Sequence, residues 1–407
     1  METGIVTPEM DRHNGRIFLL TYLLLYLAAP VMYVGIVQAA LCDKLGAPAT
    51  IANLPFAAYQ FGQIAPLLCS WLVPQRLERA VVVWAAGITS ALIGGVFLTL
   101  LLPMPAAIRI GAVVAHGLLQ GFIWSIAYVF LMQCLNRGTT EKGRARALQL
   151  TFSLGPLAAV LGSLGAQYIL NPGLPALHFP FDFALVYGAT VPAVAGVAWL
   201  GSRFRLLRVE DQPRLPLLAF LKESGRGFAA SRALVLVWLG FLLWNCTLGA
   251  VANTSLYTKV AMGRDPKDFS GLILAIRFGC KALAGYGLGA LAVRRGLRAS
   301  ALMTFALFAA GMLWTAAVPG YAYLASFAFL GAGELGGVYI PNYTLSLGAL
   351  AAGARNLAIL NLATPVSGFA PALHGFLTDR FGFPSSFAFG LATALAGYWL
   401  VKRIKQP

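Results

Sequence analysis

Arg277 and Lys281 stand four residues apart inside the apolar run GLILAIRFGCKALAGYGLGALAVR, Gly271 to Arg294. On a helix that spacing puts both on one face. Counted from the basic end at Arg294, Lys281 and Arg277 lie roughly 20 and 25 Å deep at about 1.5 Å per residue. That is too deep for either side chain to reach an interface by stretching. A cation at the centre of a membrane span costs about 2.5–3.5 kcal/mol even on the milder insertion scale. A water-filled cavity, an acidic partner or an anionic ligand must therefore compensate two of them. Glu334, in FLGAGELGGVYIPNY, is the acidic residue whose depth matches. Its neighbours Gly331, Gly333, Gly336 and Gly337 allow another helix or a ligand to come close. One carboxylate cancels one cation and leaves the other over. The expectation is an anion-binding point at Arg277 and Lys281, with Glu334 as switchable counter-ion and proton carrier. The competing readings are a purely structural Arg277–Glu334 or Lys281–Glu334 pair, and a helix register that lets one cation reach the surface.

Other polar residues stand in apolar surroundings. Gln60, Gln63, His116, Gln120 and Gln149 lie at middle or inner depth, and His116 and Gln120 are four apart on one face. A lone buried histidine is more often a hydrogen-bonded packing residue than a ligand, and His116 is weighed against that as a solute contact and a second proton carrier. Tyr22, Tyr26, Tyr33, Trp244, Asn245, Asn253 and Tyr257 are candidate lining residues, with Asn245 and Asn253 eight apart. Aromatic residues in spans otherwise serve packing or interface anchoring. The candidate solute contacts are Arg277, Lys281, Gln120, His116, Asn245, Asn253, Tyr26 and Gln60. Pro156, Pro341, Pro365 and Pro371 read as kinks rather than chemistry. The four histidines, His13, His116, His178 and His374, are dispersed, and no hydrolytic triad, phosphate-cradling loop or metal spacing occurs. The expectation is no enzyme, no cofactor and no metal. Cys42, Cys69, Cys134, Cys246 and Cys280 read as free thiols in or beside apolar spans.

The elements that must hold these residues are membrane helices. Of 407 residues 59% are hydrophobic and only 11% charged, with a mean hydropathy of +0.75, whereas soluble domains carry about 25% charged residues. Apolar runs of span length imply an all-α integral membrane protein rather than an alternating-strand barrel. Twelve spans are expected, near 17–41, 50–73, 80–102, 106–134, 145–170, 182–201, 232–258, 268–292, 299–318, 321–349, 354–377 and 383–402. The polar first 16 residues do not form a signal peptide. Most of the 30 cations fall on the side that holds both termini, which places the termini in the cytoplasm and the chain in the plasma (inner) membrane. Lys44, Arg109, Lys259, Arg264, Lys267 and Arg380 are the outer ones. The net charge of +16 is thereby explained without nucleic acid. The expected partners are a small anionic or zwitterionic solute, protons and membrane lipids, for a monomer. The long polar gap between the sixth and seventh spans divides the chain. It gives a cytoplasmic segment 1–16, a six-helix bundle 17–202, a linker 203–231, a second bundle 232–402 and a tail 403–407.

The two halves also match in register. Leu72, Arg76 and Arg79 after the second span superpose on Leu291, Arg295 and Arg298 after the eighth, and Arg146–Pro156 in the fifth repeats as Arg355–Pro365 in the eleventh. A duplicated six-helix unit is the economical reading. On these residues the whole chain resembles the major facilitator superfamily, whose signature after the second helix reads roughly G-x-L-x-D-R-x-G-R-R. Ser70 stands for the glycine, while Gly289 keeps it; Pro74 and Val293 stand where the aspartate belongs, so the loop–helix charge latch that the resemblance implies lacks its carboxylate in both copies. A fuller copy, Gly375-Phe-Leu377-Thr-Asp379-Arg380-Phe-Gly382, closes the eleventh span. The resemblance implies two pseudo-symmetric six-helix bundles with a pathway between them, and solute movement by alternating access. The expected function is secondary active transport of a small organic anion or zwitterion, coupled to protons. The alternatives are an exporter of amphipathic drugs or lipids, of whose signature Gly155-Pro156 resembles a fragment, and a non-transporting membrane sensor or scaffold.

Overall fold

The structure, a computed structural model, describes residues 6–65, 77–171, 177–207, 225–347 and 353–404. Ser70, Leu72, Pro74 and Arg76 of the signature loop lie outside the described residues, as do Cys69, Arg208, Arg214, Lys222 and Lys405. Regular structure is helical throughout the described residues. Nine of their helices are long and apolar enough to cross a membrane, from Glu78–Leu101 to Asn356–Phe381. The twelfth expected span is the helix Phe383–Lys402. The first two are chains of short helices: Pro8–Leu27, Ala29–Met32 and Ile36–Lys44, then Ala49–Ala52 and Leu54–Gly62. The fourth and fifth spans run about a turn beyond their expected ends, as Ala106–Gly138 and Glu141–Leu170, because basic residues outside the apolar run continue a helix readily.

Two compact units divide the chain. One comprises Met1–Val34 and Gly62–Arg214, the other Gly35–Phe61 and Leu215–Pro407. In the first unit Thr7 caps the opening helix, its hydroxyl accepting from Met10 N at 3.2 Å, and Pro8, Glu9 and Asp11 occupy the first turn as helix starts prefer. Phe18, Tyr22, Phe130, Cys134, Leu135 and Phe204 form its buried core. At one end Asn14 donates to the carbonyls of Gly138 and Arg205 at 2.7 Å and accepts from Arg205 N at 3.0 Å. His13 Nε2 meets Arg203 O at 2.9 Å, and Asp11 accepts from Thr140 N at 2.7 Å. Arg137 pairs with the buried Glu78 at 2.6 Å and donates to the Leu207 carbonyl. Every polar atom of the Asn14 amide is thus used, and the first helix is tied to the chain that leaves the sixth span.

In the second unit the seventh span breaks at Gly249 into Arg232–Leu248 and Ala250–Leu256. The tenth span is interrupted between Ser326–Gly333 and Gly336–Ser346. The eleventh breaks around Pro365 and Pro371, into Gly353–Asn361, Ala363–Val366 and Ala370–Phe381. Pro156 and Pro341, by contrast, sit inside continuous helices. In lipid, helices gain little from burying apolar surface against each other, so packing and close approach hold them. Trp244 stacks on Phe241 at 5.4 Å and meets Phe308 at 5.6 Å.

Candidate functional site

Arg277 and Lys281 project from the helix Ser270–Arg295, and Glu334 is the C-cap of Ser326–Gly333, where the tenth span is interrupted. Glu334 N still bonds Leu330 O at 3.0 Å, so its amide stays satisfied at the interruption. Two features bring the carboxylate to the cations. A Cβ on Gly331 would lie 2.2 Å from the Arg277 carbonyl oxygen, so the eighth and tenth spans touch backbone to backbone there. On the other flank Trp244 Nε1 donates to Gly333 O at 3.0 Å and fills the space a side chain on Gly336 would take. The glycine cluster is therefore what sets the depth and angle of Glu334.

Arg277 Nε donates directly to Glu334 Oε1, and Lys281 Nζ lies 3.4 Å from Oε2. Arg277 and Glu334 are each 7% exposed, while the Lys281 side chain keeps 24%. Among the described residues both cations find their ion pair in this one carboxylate, and the trio carries a net positive charge. Arg277 engages Glu334 through Nε, and the donors of its two Nη groups lie outside that bond. One turn along the same face of the eighth span, Tyr339 donates its hydroxyl to Gly285 O at 3.3 Å. Tyr339 is not among the residues expected at the site, and its position five residues after Glu334 is the one sequence feature that points to it.

The other candidates fall in several settings. Asn245 donates to Phe241 O at 2.9 Å within its own helix. Asn253 lies beyond the Gly249 break: its carbonyl accepts from Asn53 at 3.0 Å, and its amide donates to Thr378 at 2.8 Å and Ser386 at 2.9 Å. Gln60 is 1% exposed, and neither atom of its amide has a partner. In the first unit His116 is 2% exposed with both ring nitrogens unpartnered, edge-on to Tyr187 at 5.8 Å. Gln120 donates to Met32 O at 2.8 Å, closing the break in the first span, and its carbonyl oxygen has no partner. Tyr26 stacks on Tyr33 at 6.1 Å, over Gly155, where a Cβ would meet its ring at 2.3 Å. Among the described residues no group of His, Cys, Asp or Glu could hold a metal ion.

No family model and no curated protein matches this sequence. Solved structures do match the fold across nearly the whole chain. A point mutant of the nucleoside transporter NupG superposes with a TM-score of 0.72 at 11% identity over 97% of this chain and 98% of its own. An auto-inhibited POT family peptide transporter gives 0.71 at 14% identity, covering 97% and 98%. A POT peptide transporter in complex with sulfate gives 0.70 at 12% identity, covering 96% and 94%. The chain has the major facilitator fold of these proteins, with the twelve-span, all-α architecture that its sequence resemblance implied, and is a multi-pass membrane protein.

Proposed function

We propose that the protein is a secondary active transporter of a small organic anion or zwitterion, working by alternating access. The observation that carries this reading is the sharing of one carboxylate, Glu334, by two cations within membrane-spanning helices. The uncompensated positive charge suits the negative group of a solute, held by the Nη groups of Arg277 and by the partly exposed Lys281. Glu334 is the exchangeable counter-ion: protonating it frees both cations for the solute, which couples binding to protons. Gln60, His116, Gln120, Asn245 and Tyr26 are assigned to the polar and aromatic contacts of the solute along its path, and His116 to a second proton step. Asn253 has its amide fully engaged, so its solute role requires that network to open. The structural neighbours named for nucleosides and peptides support a small organic solute, and peptides are themselves zwitterions. A monomer in the inner membrane with both termini in the cytoplasm completes the reading, on the distribution of basic residues.

The test is thermal unfolding of the purified protein against organic anions, zwitterions including short peptides, nucleosides, lipophilic cations and neutral sugars. A ligand at a hundred times its dissociation constant adds about 2.7 kcal/mol. Stabilisation by one anionic or zwitterionic class, lost in Arg277→Gln, together with uptake of that solute into sealed proteoliposomes, is the expected result. Stabilisation by lipophilic cations alone would replace this reading with an amphipathic-drug exporter. A bound ligand with no flux would indicate a sensor.

A further inference from the structure

We propose that the basic end of the twelfth span is a binding site for an anionic phospholipid. Arg403, Lys402 and Arg298 hold its phosphate, and Trp399 and Leu395 lie along its chain. The backbone gathers the cations. The eighth span ends in Arg294 and Arg295, and a single residue, Gly296, turns the chain into the ninth. Its φ is 82°, a conformation that side-chain-bearing residues rarely adopt. Arg298, in the first turn of the ninth span, donates through Nη2 to the carbonyl of Lys402 at the end of the twelfth. The two spans pack closely behind this bond, since a Cβ on Gly397 would lie 2.4 Å from the Phe305 ring. Arg403 lies over the Trp399 ring at 3.3 Å, and Lys402 over Tyr398 at 5.9 Å.

Among the described residues no carboxylate answers these cations. The acidic residues described in the second unit are Asp43, Asp265, Asp268, Glu334 and Asp379. Each is engaged elsewhere. Asp43 pairs with Lys259 and Asp265 with Lys44, both at 2.6 Å, Asp268 with Arg264 at 3.7 Å, and Glu334 with Arg277. Asp379 accepts from Ala49 N at 2.9 Å and Thr50 N at 2.8 Å. The first unit carries its own copy of the arrangement. At the end of the sixth span Arg203 lies over Trp199 at 5.0 Å, and Arg79, the counterpart of Arg298, donates to Phe204 O at 3.4 Å. There, however, Glu9 pairs with Arg205 at 2.8 Å and Glu78 with Arg137 at 2.6 Å. The first unit draws counter-charge from its own chain, and the second leaves that role to a ligand.

A guanidinium stacked on an indole keeps its in-plane N–H groups for a phosphate, often two at once. Two further donors sit behind it without a partner. One is Arg298 Nε, and the other is the hydroxyl of Tyr343, which is 3% exposed and within electrostatic reach of Arg298. A phosphodiester offers acceptors only, which is what this set lacks. Arg403, Trp399 and Leu395 follow one another at four-residue spacing, so they share one face, and Trp399 and Leu395 are both exposed on it. That face passes from cations to bare apolar side chains, as a headgroup passes to its acyl chain. The continuity favours a lipid over a soluble anion.

The test is thermal unfolding of the full chain, purified in detergent and stripped of lipid, with phosphatidylglycerol or phosphatidylcholine added back. Phosphatidylglycerol should raise the melting temperature, and phosphatidylcholine should not. In Arg403→Gln the amount of phosphatidylglycerol that gives half the rise should increase about tenfold. Arg380→Gln removes an exposed cation from the other end of the eleventh and twelfth spans, and should leave that amount unchanged. Equal stabilisation by the two lipids, or one response shared by wild type and Arg403→Gln, would overturn the site. An equal loss in Arg380→Gln would overturn it too, since that is a general charge effect. So would inorganic phosphate reproducing the whole rise, because the ligand would then be a soluble anion. No solute is present in any arm, so the result stands apart from the transport reading.

Discussion

Gly331 and the carbonyl of Arg277 touch where no side chain fits, since a Cβ at Gly331 would lie 2.2 Å from that oxygen. The bond between Arg277 and Glu334 forms beside this approach of the eighth and tenth spans. Gly331→Ala pushes the helices apart or strains them, and the expected cost is about 1–3 kcal/mol. Gly287→Ala, on the same helix as Arg277 with open space around it, is the matched control and should leave the melting temperature nearly unchanged. Thermal unfolding in detergent reads both.

The three charged residues should not be equivalent. Glu334→Gln leaves two cations without their counter-ion, and removing one partner of a buried pair costs about 3–5 kcal/mol. Lys281→Gln leaves the Arg277–Glu334 pair in place and removes a partly exposed cation at 3.4 Å, so its effect on stability should be small. Solute-induced stabilisation should nonetheless fall in Lys281→Gln. A Lys281→Gln protein that melts and binds as wild type does would leave this residue no part in the site.

The proton exchange proposed for Glu334 would have a kinetic signature. Uptake into proteoliposomes should depend on pH in wild type and lose that dependence in Glu334→Gln, with counterflow retained. His116→Gln should shift the remaining profile. Identical pH profiles for wild type and His116→Gln would remove His116 from the proton route, leaving it as an edge-on neighbour of Tyr187.

Asp43, at the outer end of the first span, gives a second pH effect with a definite sign. Burial raises its carboxyl above the ordinary value of 3.8, outweighing the lowering by the bonded Lys259, with Asp265 adding to the rise. A group raised in the folded state contributes stability that is fully present below its unfolded pKa and is lost as pH climbs through the folded one. The melting-temperature advantage of wild type over Asp43→Asn should therefore be largest below about pH 3.8 and decline above it. An advantage that grows with pH would mean that Lys259 dominates instead.

The depth and charge of Arg277, Lys281 and Glu334 were legible in the chain because a bilayer converts residue counts into distances, and the structure joins all three. The span count was legible for the same reason. The spacing of Asn245 and Asn253 did not show that their amides are used differently: one turns back on its own helix and the other bonds residues of three other spans. The bonds of Asp379 to Ala49 and Thr50 could not be read at all. Periodicity reports which face of a helix is apolar, and is silent about which backbone amides a carboxylate more than 300 positions away will find. The best copy of the family-like signature, Gly375–Gly382, did point to that residue without showing its partner.

Asn14 clamps Gly138 and Arg205 with every atom of its amide, while His13 holds Arg203. The start of the linker and the foot of the first span therefore bear load as one piece. A tug on the linker, whether from a fused tag, a protease cut or a bound protein, would be delivered to the first helix before any other part of the first unit. The amino-terminal turn is a poor place for a tether and a good place for a strain gauge.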